Sequence, residues 1–166
     1  SRGYSAPAPL GDRPVMNPIY ARCLKTPFGL FVLSATSKGL YSLDLEKSFH
    51  RARPSAKQKI PHHVASTLRR AALQLRLYLK GKKTDFRSLP IDWTGYRGFQ
   101  KRVLQELRKI PRGTTETYQF LARRSGRPKA TRYVGRILHL NRLPLVLPCH
   151  RVVPKKGGLG GFSKGT

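Results

Sequence analysis

The stretch Pro148-Cys149-His150-Arg151-Val152 holds the residues best suited to chemistry. A thiol beside an imidazole and a guanidinium can become a nucleophile. Only the thiolate attacks well, and cationic neighbours or a base favour it. Imidazole accepts a proton near neutral pH. The apolar run Leu145-Val146-Leu147 reads as a short buried strand that Pro148 ends. A lone cysteine there is equally a small buried hydrophobe, so the residues alone leave both readings of Cys149 open. Cys23 falls in a strand pattern and reads as structural. Two cysteines are too few for a disulfide framework, which suits a reducing, intracellular compartment. No clustered Cys or His spacing suggests a zinc site.

Something must carry these groups to a substrate, and the charge says what kind. The chain has 34 Lys plus Arg against 7 Asp plus Glu, a formal charge of +27. Such a chain suits a polyanion, and nucleic acid comes before an anionic membrane surface because phosphate neutralisation supplies most non-specific affinity. From residue 117 onward there are 11 Lys or Arg and no acid. That stretch opens with two short helical patterns, near 117–124 and 129–140, joined by Ser125-Gly126-Arg127-Pro128. This is a helix-turn-helix pattern, shared with ordinary helical hairpins. On the second helix Ala130, Tyr133, Val134, Ile137 and Leu138 follow core spacing. Arg132, Gly135, Arg136 and His139 share the other face, which is basic and smooth at Gly135. A solvated basic face is the plainer reading.

The upstream elements form a support. Residues 1–18 read as a flexible arm. Residues 19–46 read as three strands of an antiparallel meander, with turns at Thr26-Pro27-Phe28-Gly29 and Ser37-Lys38-Gly39. Residues 47–60 read as a loop. A helix over 61–80 carries Val64, Leu68, Ala71, Ala72, Leu75 and Leu79, stopped by Gly81. Residues 84–98 read as extended or looping, and a helix over Phe99–Lys109 is expected to bury Phe99, Val103, Leu107 and Ile110. With 39% hydrophobic residues and no run of about 18 apolar ones, a packed body without a membrane partner is expected. No signal peptide pattern opens the residues given. A composition break near residue 84 divides an N-terminal α/β domain over 19–83 from a C-terminal domain over 84–166.

The chemical motif belongs to a longer pattern. Asp92-Trp93, Gly95 through Phe99-Gln100, Ile110-Pro111-x-Gly113, Thr117-Tyr118-Gln119-x-Leu121-Ala122, Gly126-x-Pro128-Lys129-Ala130, Arg132-x-Val134-Gly135, Asn141, Pro148-Cys149-His150-Arg151-Val152 and Gly160-Gly161-Phe162-Ser163 stand in one order and spacing. In this the chain resembles the O6-alkylguanine-DNA alkyltransferases, over roughly residues 84–166 and more loosely before. The resemblance implies an α/β fold: a ribonuclease H-like N-terminal lobe with an antiparallel sheet, then a helical lobe with a winged-type helix-turn-helix. It implies a monomeric, DNA-associated protein, in nucleus or nucleoid, that binds the minor groove of double-stranded DNA containing O6-alkylguanine and rotates the damaged nucleotide out.

In that scheme Cys149 takes the alkyl group once, without a cofactor, and His150 acts as base through a water. Tyr118 crowds the 3′ phosphate and donates toward guanine. Asn141 ties the recognition helix to the active-site turn. Arg132 fills the vacated space, and Thr131, Gly135, Arg136 and Arg151 complete the DNA contact. Pro144, Val152, Gly160, Phe162 and Ser163 wall the pocket. There are departures. Tyr133 replaces a small residue and Lys164 a glycine. The family's histidine is oriented by a glutamate after Gly-Gly-Phe-Ser, whereas no acid follows Glu116 in these residues. Two further expectations stand beside alkyl transfer: a lesion-binding protein with transfer impaired by that missing carboxylate, and a non-specific basic DNA-binding protein.

Overall fold

The computed structural model describes residues 17–46 and 58–155. Most of the expected arm, most of the 47–60 loop, and Gly160, Phe162, Ser163 and Lys164 lie outside these residues. Three strands, β1 (Tyr20–Thr26), β2 (Gly29–Thr36) and β3 (Gly39–Leu45), form the expected antiparallel meander. Its second turn requires glycine. Gly39 has φ +137°, and a Cβ there would lie 2.5 Å from the Pro90 carbonyl carbon. That approach lets Leu40 bond Pro90 and Asp92 through its backbone, at 2.8 Å each. The extended segment around Ile91 thereby joins the sheet edge in a parallel bridge.

Simple alternation fails in β3. Ala35 pairs with Leu40 but Ser34 with Ser42, so β3 carries one extra residue there. This bulge puts Leu40 and Leu43 on the same face as Leu33 and Ala35. Helix α1 (His62–Leu79) covers that face with Val64, Leu68, Ala71 and Leu75. Each large aliphatic side chain so buried contributes about 1.5–3 kcal/mol. Cys23, expected to be structural, is exposed in β1. It alternates with Leu24, and only Leu24 faces the core.

The C-terminal half holds α2 (Gly98–Arg108), a two-residue strand β4 (Glu116–Thr117), α3 (Tyr118–Arg124), α4 (Thr131–His139) and a second two-residue strand β5 (Val152–Val153). The buried residues of both halves form one contiguous cluster. Two polar residues hold later segments of the chain to the sheet. Asp92 is fully buried and accepts from the Thr36 hydroxyl at 2.5 Å and the Thr94 amide at 2.8 Å. Burial pushes its carboxyl up. The bonds from Thr36 and Thr94 and the Lys38 charge outweigh this and hold it below its ordinary value. Arg142 lies between the rings of Tyr41 and Tyr96, at 4.1 and 4.3 Å. It donates to the Tyr96 hydroxyl and to the Asp92 and Thr94 carbonyls, while its own carbonyl accepts from Leu43 of β3. Among the described residues no helix is long and apolar enough to cross a membrane.

Candidate active site

The segment before Cys149 is a turn, not the expected strand. Pro144 and Pro148 bracket Leu145-Val146-Leu147 and offer no amide hydrogens for a ladder. A side chain replaces the ladder. Asn141, at the end of α4, donates from Nδ2 to the Leu147 carbonyl at 2.8 Å and accepts at Oδ1 from the Leu143 amide at 2.9 Å. The Leu147 amide closes the loop onto the Leu143 carbonyl. Leu145 is held at φ +70°, a left-handed conformation that costs a non-glycine residue about 1–2 kcal/mol. The turn is therefore over-determined by its hydrogen bonds.

Pro148, with φ −78° and ψ 67°, makes an inverse γ-turn, and the Cys149 amide bonds the Leu147 carbonyl at 2.8 Å. Cys149-His150-Arg151 form one 3₁₀ turn, and β5 then pairs in parallel with β4. That pairing brings the start of α3 to the active-site turn. Thr117 caps α3 by accepting from the Phe120 amide, so Tyr118 opens the helix beside the thiol. Tyr118 also lies against α4, since a Cβ on Gly135 would sit 3.9 Å from its ring. The adjacent Cys149 and His150 thus share one corner with Asn141 and with Tyr118 from further upstream.

Cys149 is half-buried on the rim of the core, neither sealed inside nor fully open. Burial, and then the proximity of Cys149, push the Tyr118 hydroxyl above its ordinary value, so it remains a donor. Burial, and then the Arg151 charge, push His150 down. Its imidazole is therefore neutral at pH 7 and free to take a proton. His150 Nε2 lies 3.3 Å from the Tyr78 hydroxyl of α1.

Arg132 and Arg136 are exposed on α4, with Thr131 and Gly135 half-buried beside them. Val134, Ile137 and Leu138 are buried, as their spacing requires. Tyr133 departs from the expected core position. It is 39% exposed and stacks on Phe99 of α2, ring centres 5.8 Å apart. The Phe99 ring also carries Arg127 at 5.1 Å. A phenol too large for the core thus packs along the helix rim. Arg151 donates to the Ile110 carbonyl at 2.8 Å. Val152 is buried in the core and Pro144 half-buried in the turn. Tyr78 and Arg142 escaped the sequence reading. Their partners lie 72 and about 50 residues away, and no local spacing marks such contacts.

Two family models match this chain in succession. Residues 19–93 match the family model described as 6-O-methylguanine DNA methyltransferase, ribonuclease-like domain, and residues 98–166 match its DNA binding domain. The chain is 33% identical to the constitutive methylated-DNA–protein-cysteine methyltransferase of Bacillus subtilis, over 87% of this chain and 86% of that protein. It is 35% identical to a Methanosarcina barkeri protein of the same name, over 89% and 90%. Among solved structures it resembles the Mycobacterium tuberculosis O6-methylguanine methyltransferase, with TM-score 0.69, 29% identity, and 88% and 85% of the two chains covered. Mycobacterium tuberculosis OGT in complex with DNA superposes with the same TM-score, at 30% identity over 86% and 83%. An α/β lobe feeding a helix-turn-helix, a cysteine turn tied to its second helix, and matches that run through both halves have one common source: this chain belongs to the 6-O-methylguanine DNA methyltransferase family.

Proposed function

We propose that this protein repairs duplex DNA by moving the alkyl group of O6-alkylguanine onto Sγ of Cys149, once per molecule. The observation that carries this reading is Asn141, whose two bonds fasten the cysteine turn to the end of the exposed basic helix. A group bound on α4 is thereby registered against the thiol. The residues take the roles their positions permit. His150 accepts the thiol proton through water. The S–C bond forms as the C–O6 bond breaks, with its electron pair left on guanine. Tyr118 donates a hydrogen bond to the leaving ring, and the thiol proton reaches guanine by way of His150 and solvent. Arg132, with Thr131, Gly135 and Arg136, holds the DNA, and Pro144 and Val152 border the pocket. Nucleophile, base and recognition helix lie in one chain, so a monomer suffices, and no cofactor takes part. A 19–83 domain would support and an 84–166 domain would react.

Incubation with a duplex carrying O6-methylguanine, labelled in the methyl group, tests this. One label per protein molecule is the expected end point. Lesion-selective binding without label on the protein would replace repair with recognition alone.

The rate should follow the neutral imidazole. Because burial and Arg151 hold His150 below the ordinary value of about 6.5, transfer should rise with pH only on the acid side. It should be level at about pH 7. A rate still climbing steeply above neutrality would remove His150 as the base.

Arg132 has a separable effect. Extruding a nucleotide costs a few kcal/mol, and a side chain that fills the gap offsets part of it. Arg132→Ala should slow transfer from duplex roughly tenfold, about 1.4 kcal/mol, and leave transfer from a free alkylated guanine base unchanged. Equal losses on both substrates would rule out the wedge.

A further inference from the structure

We propose that Tyr78 is a positioning residue for the proton acceptor: its hydroxyl oxygen takes the Nε2–H of His150, so that Nδ1 is the nitrogen left to receive the thiol proton. This rests on the reading of His150 as base. The contact is 3.3 Å and spans the two halves of the molecule. Among the described residues, Tyr78 is the side chain that bonds the His150 ring.

The tyrosine is itself held firmly. It stands in the last turn of α1, which closes with the Gly81 amide on the Tyr78 carbonyl and the Lys82 amide on the Leu77 carbonyl. Gly81 is at φ +72°, and this 6→1 closure is a Schellman end. Phe86 packs against the Tyr78 ring at 5.7 Å and the Arg112 guanidinium lies over it at 5.5 Å. Arg112 also donates to the Gly81 and Lys82 carbonyls. The hydroxyl is thus fixed on a rigid helix end before substrate arrives.

The chemistry of imidazole gives this contact its direction. A neutral ring has one donor nitrogen and one acceptor, and an imidazolium has two donors. A tyrosine oxygen beside Nε2 accepts from both forms. In the proposed tautomer Nδ1 is the unprotonated nitrogen, and once Nδ1 gains a proton both ring nitrogens donate, so the tyrosine oxygen keeps its bond as the acceptor. An oriented base with a satisfied far nitrogen is the general arrangement of nucleophile–base pairs. Arg151, next in the chain, is the charge that acts on this ring among the described residues, and Cys149 precedes it with Tyr118 close enough to feel the thiol. Arg112 lies behind Tyr78. Arg151 and burial oppose the imidazolium, and the tyrosine oxygen works against them.

Tyr78→Phe in the full chain keeps the ring contacts and removes only the acceptor. The ring resonances of His150, followed by NMR against pH, should titrate at lower pH in the variant, because the imidazolium loses a partner. The acid limb of the transfer–pH profile should move the same way, and the plateau rate should fall roughly threefold to tenfold. Duplex affinity should stay unchanged. An unmoved or raised His150 titration overturns the proposal, even if the rate falls. If wild-type protein transfers no alkyl group, the repair reading fails, but the titration still decides the Tyr78 contact.

Discussion

The Cys149→Ala variant is expected to take up no label from O6-methylguanine duplex, a loss of more than about a thousandfold in rate, while binding the duplex as tightly as wild type. The expectation follows from position as much as from residue type. Sγ is half-buried at the corner where α3, α4 and the cysteine turn meet. The basic face presents Arg132 and Arg136 to solvent without it. Removing the sulfur therefore removes the bond-forming atom and leaves the phosphate-binding charges alone. Cys23 is the internal control. It is an exposed thiol on β1, with none of the contacts that surround Cys149. Peptide mapping of labelled wild type should place the label on Cys149. Label in the alanine variant, or on Cys23 in wild type, would overturn the assignment. Serine should not rescue, because a hydroxyl is far weaker as a nucleophile than a thiol at neutral pH.

Asn141→Ala is the second large effect, and it acts on both stability and rate. The residue is 8% exposed, and its amide satisfies the Leu147 carbonyl and the Leu143 amide. Each buried group left without a partner costs about 1–3 kcal/mol. The variant should lose roughly 2–5 kcal/mol, a large share of the ~5–15 kcal/mol that holds a typical domain together. Denaturant unfolding measures this. At a temperature where the variant remains folded, transfer should still fall about a hundredfold, since a displacement near 1 Å is enough to lose that much. The turn is the reason: Leu145 stays left-handed while the loop's hydrogen bonds close it, and Cys149 hangs from Leu147 by one γ-turn bond further on. Asn141→Asp would keep the acceptor for Leu143 but face a carboxylate toward the Leu147 carbonyl, so it should not rescue. A variant with wild-type stability and rate would detach Asn141 from the site.

Arg142 links the cysteine turn to the sheet. The residue after Asn141 is stacked between Tyr41 and Tyr96 and bonded to the backbone around Asp92. The sheet lobe thus supports the loop that carries the chemistry. With Tyr78 reaching His150 from α1, the N-terminal half touches the active-site turn at two points. Family membership makes that half a ribonuclease-like domain. The contacts give it a physical task, which is to hold the turn.

What the residues by themselves determined was whatever local repetition dictates. The stripe Val64, Leu68, Ala71 and Leu75 specified α1, and Val134, Ile137 and Leu138 specified the buried side of α4, because a helix face recurs every three to four residues. Glycine at 39 and 81 marked where the chain must turn. The Cys-His-Arg order offered a nucleophile and a base, and the ordered motifs around it carried the resemblance to the family. Only tertiary structure decided the rest. Leu145-Val146-Leu147 has the composition of a strand, but Asn141 took its hydrogen bonds and made a turn. Tyr133 has core spacing, but a phenol found room only against Phe99. Cys23 alternated to the exposed side of the edge strand β1, where Leu24 alone of the two faces the core. The proton acceptor gained its partner from a tyrosine 72 residues away. In each case a side chain met a group distant in sequence, and such meetings have no period for a sequence to display.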